Sequence, residues 1–246
     1  MRFLFSLLIL FTVPLQALVL EKLNLEQTLS GKKIAYYSGS FDPLHLGHQD
    51  IAREVVRQGL TDYVIAVPSW GGDTYKKRVD VQHRLDMLFA AFADDPHVIV
   101  TRLNPHELQK LLTLENPTAY VDSKFEGTQY VGLIGSDTAQ YLAPNAEALE
   151  TFMTGKVIGD QHKEHTLGGL MAIPVQSFIV ALREGDTLEP LHGRIGDRPI
   201  QAVIQSSNYK DASSTKVKKT LRAGEDIILM VGGPVAEIIK SQGLYE

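Results

Sequence analysis

From Ile34 onward, short β-rich apolar runs alternate with longer stretches in which apolar residues recur at helical spacing. Ile34-Ala35-Tyr36-Tyr37, Tyr63-Val64-Ile65-Ala66-Val67, Val98-Ile99-Val100, Tyr130-Val131-Gly132-Leu133-Ile134 and Ser177-Phe178-Ile179-Val180-Ala181 read as strands. Near-continuous apolar runs of this length suit strands buried on both faces. Pro199 to Ser206 is a candidate sixth. Gln49 to Gly59 reads as a helix, and so does Val81 to Ala93, whose Leu85, Leu88, Phe89 and Phe92 fall on one helical stripe. Ser213 to Leu221 and Pro234 to Gln242 predict helices at the end of the chain. Strands alternating with helices predict an α/β fold: a Rossmann-like, doubly wound parallel sheet with a small C-terminal helical part, its ligands gathering at the carboxyl ends of the strands. No internal repeat, low-complexity tract or linker divides residues 21–246, which read as a single domain.

The first twenty residues follow a different pattern. MRFLFSLLILFTVPLQALVL carries one Arg, an apolar stretch from Phe3 to Val13, then Pro14 and a cleavage point after Ala17. This is the layout of a secretory signal peptide, although Leu15 stands where a small residue is usual. Uncharged residues run from Phe3 to Leu20, near the lower limit for spanning a bilayer, so an uncleaved anchor with membrane contact through residues 3–20 is the second reading. Translation starting further along is the third. Either of the first two implies export or membrane anchoring.

Composition narrows the function classes. The 24 Lys plus Arg against 29 Asp plus Glu give a formal net charge of −5, which argues against broad nucleic-acid binding. Cysteine is absent, which removes disulfides, thiolate zinc sites and Cys nucleophiles together.

Residues 38–48, SGSFDPLHLGH, join the first strand to the first helix and concentrate the candidate chemistry. Gly39 brings no Cβ, so backbone there can approach a phosphate closely. The amides that follow, Ser40 and Phe41 among them, can donate to phosphate oxygens, backed by the positive end of the helix. His45 and His48 stand three apart and can project to the same place, where imidazole N–H groups would donate to a polyphosphate and, if protonated, carry part of its charge. Metal binding is the other chemistry open to a histidine pair. Asp42 is the only close carboxylate, however, so no tetrahedral shell is completed and no protein-held metal is expected.

GSFDPLHLGH resembles the signature of the nucleotidyltransferase superfamily named for its HxGH motif, here His45-Leu46-Gly47-His48. Within it, GGDTYKKR (Gly71 to Arg78) followed by His83-Arg84 is similar to the corresponding stretch of eukaryotic-type nicotinamide/nicotinate mononucleotide adenylyltransferases. LIGSDTAQYL resembles that family's strand-end G-x-D element, which implies that Gly135 and Asp137 grip a nucleotide ribose or base. SSTKVKKTLRAG, with Ser213, Ser214, Thr215 and Lys218, is similar to its S-S-T-x-I-R element. A helix cap alone would account for those hydroxyls in isolation. The closing GLYE also resembles the family's ending. Two departures stand out: Lys218 replaces the family's Arg and loses the forked phosphate contact, and VTRLNPHE replaces a Trp-Glu pair that helps hold the pyridine ring. Trp70 and Tyr75 lie where a stacking surface for that ring could be rebuilt, and Trp70 could equally cover the edge of the core.

The resemblance implies that the 5′-phosphate of a pyridine mononucleotide attacks the α-phosphorus of ATP, and that pyrophosphate leaves. In that scheme Gly39 and Ser40 hold the acceptor phosphate, and His45 and His48 meet the ATP phosphates. Lys76, Ser214, Thr215 and Lys218 receive the pyrophosphate, and Arg183 either assists or forms a surface ion pair. Mg²⁺ arrives with ATP. The implied partners are ATP and a pyridine mononucleotide, with a homo-oligomer compatible. The family's norm is intracellular, which sits awkwardly with the leader. Transfer to another phosphorylated acceptor such as phosphopantetheine, and a non-catalytic nucleotide-binding module, are the competing readings.

Overall fold

The computed structural model describes residues 29–69, 78–102, 127–154 and 175–246, apart from 184, 188–190, 207, 210 and 211. The leader and the expected ring-binding residues Trp70 and Tyr75, together with Lys76, lie outside the described residues. Among the described residues no helix is long and apolar enough to cross a membrane.

Five strands, β1 (Lys33–Gly39), β2 (Tyr63–Pro68), β3 (Val98–Val100), β4 (Gln129–Gly135) and β5 (Ser177–Leu182), match the five apolar runs to within one or two residues. Two more follow, β6 (Arg194–Ile195) and β7 (Arg198–Gln205), the latter covering the candidate sixth strand. The sheet order is β3-β2-β1-β4-β5-β7-β6, parallel throughout except for β6, which runs antiparallel along β7. Successive strands therefore build outward in one direction from β1 to β3 and in the other from β4. The reversal between β1 and β4 opens a crevice at their carboxyl ends, where doubly wound sheets bind ligands.

Alternation along each strand explains the two cores. Ile34 and Tyr36 of β1, Ile65 and Val67 of β2, and Tyr130 and Ile134 of β4 face one side. There they pack with Ala139 and Leu142 of α3 (Ser136–Leu142) and Phe152 of α4 (Ala146–Thr154). Ala35, Tyr37, Val64, Ala66, Val131 and Leu133 face the other side. That side is covered by α1 (Leu46–Arg57), α2 (Val81–Ala91), α5 (Ser214–Arg222), the single turn α6 (Ile228–Val231) and α7 (Gly233–Ser241). Helices α5 to α7 are the expected C-terminal helical part.

Two differences from the sequence reading matter. Helix α1 begins at Leu46 rather than Gln49, so the histidines are its first turn and not a turn leading into it. Helices α3 and α4 occupy a stretch for which no element is predicted.

Candidate active site

The chain leaves β1 at Gly39 and turns sharply through Phe41, a non-glycine residue at φ 48°. The Phe41 side chain is fully buried, edge-on to Tyr37 and to His48, each at 5.2 Å between ring centroids. The Phe41 ring is the floor beneath the histidines and does not line the cleft, which leaves only its backbone amide, as expected from the sequence, to meet a phosphate. It also supplies a packing reason for Gly39, because a Cβ there would stand 2.9 Å from the tip of the Phe41 ring. Behind the turn, buried Arg84 donates to the Ser40 carbonyl at 2.9 Å and to the Val79 carbonyl at 3.1 Å, tying the turn to the start of α2.

Helix α1 is capped by imidazole instead of the usual hydroxyl or carboxylate. His45 is the N-cap, and its Nδ1 accepts from the His48 amide at 3.4 Å; Nδ1 of His48 accepts from the His45 amide at 3.4 Å. The two rings stack at 3.7 Å. The pattern is a capping box made reciprocally by two histidines. A nitrogen that accepts from a backbone N–H carries no proton, so each neutral ring keeps its proton on Nε2 and offers one outward donor. Burial, followed by the positive charge of Arg183, holds the His45 imidazole down to about 3. His48 is also pushed well below the usual histidine range, by burial first, then by His45 and Arg183. Both rings are therefore neutral donors in the unliganded protein at pH 7. A bound polyphosphate would raise both, yet protonating Nδ1 would break the cap that orients the ring.

The second motif comes to the same place. Gly47 is tightly enclosed: a Cβ there would meet His45 Nδ1 at 3.1 Å and the Ala212 Cβ, just ahead of α5, at 3.2 Å. Ser213 caps α5 by accepting from the Lys216 amide at 3.2 Å, and the Ser214 hydroxyl donates to the Pro43 carbonyl at 2.9 Å. Thr215 stays exposed at the helix start and lines the cleft. Lys218 lines the cleft as well, but its ammonium lies 2.5 Å from the buried Asp42 carboxylate. The charge expected to meet pyrophosphate is thus already compensated.

The third wall is the β4 and β5 end. Gly135 caps α3 without a side-chain bond, and Gly135, Asp137 and Thr138 stand at the cleft edge. Asp137 and Arg183 pair across the two strands at 2.7 Å, both largely exposed. The Arg183 amide donates to Asp186 at 2.8 Å, and the buried Ser136 hydroxyl donates to the same carboxylate. Two amide-rich helix starts of nine residues or more, α1 and α5, and the shorter α3, therefore face one cleft of about 580 Å³. Positive helix ends favour an anion, each by about 0.3–1 kcal/mol. Among the described residues no group of three His, Cys, Asp or Glu stands together.

Known proteins resemble this chain over most of its length. A family model described as cytidylyltransferase-like matches residues 36–220, well over half of the 246 residues. This chain belongs to the cytidylyltransferase-like family. Curated relatives include "Probable nicotinate-nucleotide adenylyltransferase" of Bacillus pumilus, 26% identical over 223 residues, which cover 87% of this chain and 99% of that protein. The Treponema pallidum protein of the same name is 27% identical over 219 residues, covering 87% and 98%. The solved structure of Plasmodium falciparum nicotinic acid mononucleotide adenylyltransferase complexed with NaAD shares the fold, with a TM-score of 0.58 at 15% identity over 87% of this chain and 97% of that one.

In this family member, Gly39, Ser40, His45, His48, Gly135, Asp137, Arg183, Ser213, Ser214, Thr215 and Lys218 all line the same cleft. Several lining residues escape the sequence reading. Arg78 closes the GGDTYKKR stretch without being assigned a role there, and Ser206 and Tyr209 follow β7. The carboxyl-end rule applied to the candidate sixth strand would have found Ser206. Asp42 is the central omission: its carboxylate takes Lys218, the Tyr245 hydroxyl at 2.9 Å and the Val79 amide at 3.2 Å.

Proposed function

We propose that the protein transfers the adenylyl group of ATP to nicotinate mononucleotide, forming deamido-NAD and pyrophosphate. The observation that carries this reading is the meeting of two outward imidazole N–H donors with the start of α5 in the switch-point cleft. The substrate pair follows the names of the curated relatives, which align over nearly their whole length.

An oxygen of the mononucleotide phosphate attacks the α-phosphorus, the bond from that phosphorus to the bridging oxygen breaks, and both electrons leave with pyrophosphate. The nucleophile is already an anion, so no general base is needed; alignment and charge stabilisation do the work. The Gly39 and Ser40 amides hold the acceptor phosphate. Nε2–H of His48 and of His45 donates to the oxygens on which charge grows. The open amides at the start of α5, with the Thr215 hydroxyl and Arg78, receive the pyrophosphate. Gly135 and Asp137 bind the adenosine side.

Magnesium brought with ATP would supply neutralisation of phosphate charge and would need few protein ligands. The donor set of the histidine turn and α5 is N–H and O–H, which suits the phosphate and leaves the ion to the nucleotide. Nicotinamide mononucleotide is the second acceptor to weigh, because Gly71 to Arg78 resembles the eukaryotic-type enzymes. Purified protein incubated with ATP, Mg²⁺ and, separately, nicotinate mononucleotide, nicotinamide mononucleotide or phosphopantetheine tests the reading. Pyrophosphate and deamido-NAD should appear with the first. Nucleotide binding without turnover on any acceptor would leave a non-catalytic module.

A further inference from the structure

The Asp42 carboxylate joins three segments far apart in sequence. It sits in the turn before the histidines, is 5% exposed, and receives Lys218 from α5 and the hydroxyl of Tyr245 from a segment 203 residues away. The Lys218 ammonium also lies 4.9 Å from the centre of the Tyr245 ring. Lysine forms no forked contact, so a single ammonium already shared between a carboxylate and an aromatic face has little left for a phosphate. Leaving would strand a buried carboxylate, which is costly. Burial and the Asp42 charge push the Tyr245 phenol up, so it remains a donor throughout the working pH range.

We propose that Lys218 serves as a structural cation held by Asp42 and Tyr245, and that Tyr245 is a positioning residue that sets the histidine turn against the start of α5. This rests on the adenylyltransferase reading for its effect on rate, and on geometry alone for the assignment of Lys218. The assignment differs from the phosphate contact implied by resemblance for that motif position. It also accounts for the GLYE ending, since Leu244 is buried in the same core as Phe41, and Tyr245 delivers its hydroxyl beneath the turn.

The test compares wild type with Tyr245→Phe, Lys218→Gln and Lys218→Arg, and with the double variant of Tyr245→Phe and Lys218→Gln. Two readouts are taken: steady-state kinetics with ATP and nicotinate mononucleotide, and calorimetric titration with inorganic pyrophosphate. Tyr245→Phe keeps the ring and the fold, and should lower kcat about 10-fold, less than the ~10²-fold expected for a 1 Å misplacement. KM for ATP and the pyrophosphate Kd should stay within about 2-fold, because no phosphate ligand is lost. Lys218→Gln should lower kcat further with the same unchanged Kd, Lys218→Arg should retain more of kcat than Lys218→Gln, and the double variant should be no worse than Lys218→Gln alone. Pyrophosphate binding weakened 10-fold or more in Lys218→Gln but not in Tyr245→Phe would make Lys218 a direct ligand and overturn the proposal. Unchanged kcat in Tyr245→Phe would overturn it too. If Lys218→Gln fails to fold, Tyr245→Phe and Lys218→Arg still decide it. Should wild type turn over no acceptor, the functional reading fails while the pyrophosphate titration still judges Lys218; wild type that binds no pyrophosphate ends both.

Discussion

Two of the three walls of the cleft are built on opposite terms. On the β1–α1 side, the reactive groups are buried or half-buried and used twice: His45 and His48 cap a helix and present donors, and Gly39 and Gly47 are fixed by what lies against them. On the β4–β5 side, Asp137 and Arg183 meet in solvent, 66% and 61% exposed at their side chains. An exposed ion pair contributes only about 0–1 kcal/mol and rearranges easily. The difference divides the work of the cleft. A rigid wall suits the invariant phosphate chemistry, and an adaptable one suits the part of the ligand that must enter and leave.

The sharpest break of this contrast is His48→Ala, which should lower kcat by ~10²–10³ if the imidazole stabilises developing charge as an oxyanion-hole donor does. Near-normal turnover by stopped pyrophosphate assay would remove it from that role. Next, Gly39→Ala should destabilise the fold by about 1–3 kcal/mol by overpacking against the buried Phe41 ring. Urea denaturation reads this, and an unchanged midpoint would mean the floor of the turn is softer than the aromatic contacts indicate. Arg183→Ala should move stability by no more than about 0.5 kcal/mol and act instead on KM; a loss of stability as large as that of Gly39→Ala would erase the distinction between the walls.

The buried wall also has a signature in pH. Both imidazoles are depressed in the folded protein, His45 to about 3, against about 6.5 in an unfolded chain. As pH falls below about 6.5 the unfolded chain takes up protons that the native rings refuse, so stability declines toward acid and is unaffected above that point. The onset of the decline below about pH 6.5 is the signature of histidine. A double His45→Gln, His48→Gln variant should show a flatter profile, and NMR should find the two wild-type rings unmoved between pH 8 and 5. A ring that titrates near 6.5 would contradict the neutral-donor assignment.

The strands are legible in the sequence because Val, Ile and Tyr runs end at turn residues, and because a strand buried on both faces has no polar alternation to blur it. The position of both motifs at strand ends follows from that. The start of α1 is misplaced because histidine is not a usual cap: recognising that an imidazole Nδ1 can take the role moves it to Leu46. Helix α3 is short and lacks a side-chain cap, so it offers little periodicity. In α4, Leu149, Phe152 and Met153 do carry a helical stripe, a signal present but unused. Pairings such as Asp42 with Lys218, 176 residues apart, leave no local trace at all. They decide whether a charge predicted for a site is free to act there.

The His45 amide hydrogen donates to the His48 ring nitrogen and is shielded there while that nitrogen is bare, whereas the His48 amide also reaches the His45 carbonyl at 3.0 Å. Exchange of the His45 amide with heavy water, taken relative to its intrinsic rate at each pH, is therefore a built-in indicator of imidazole ionisation, legible without any nucleotide present. Acid that charges the His48 ring should lower the protection of that amide before the rest of the helix loosens.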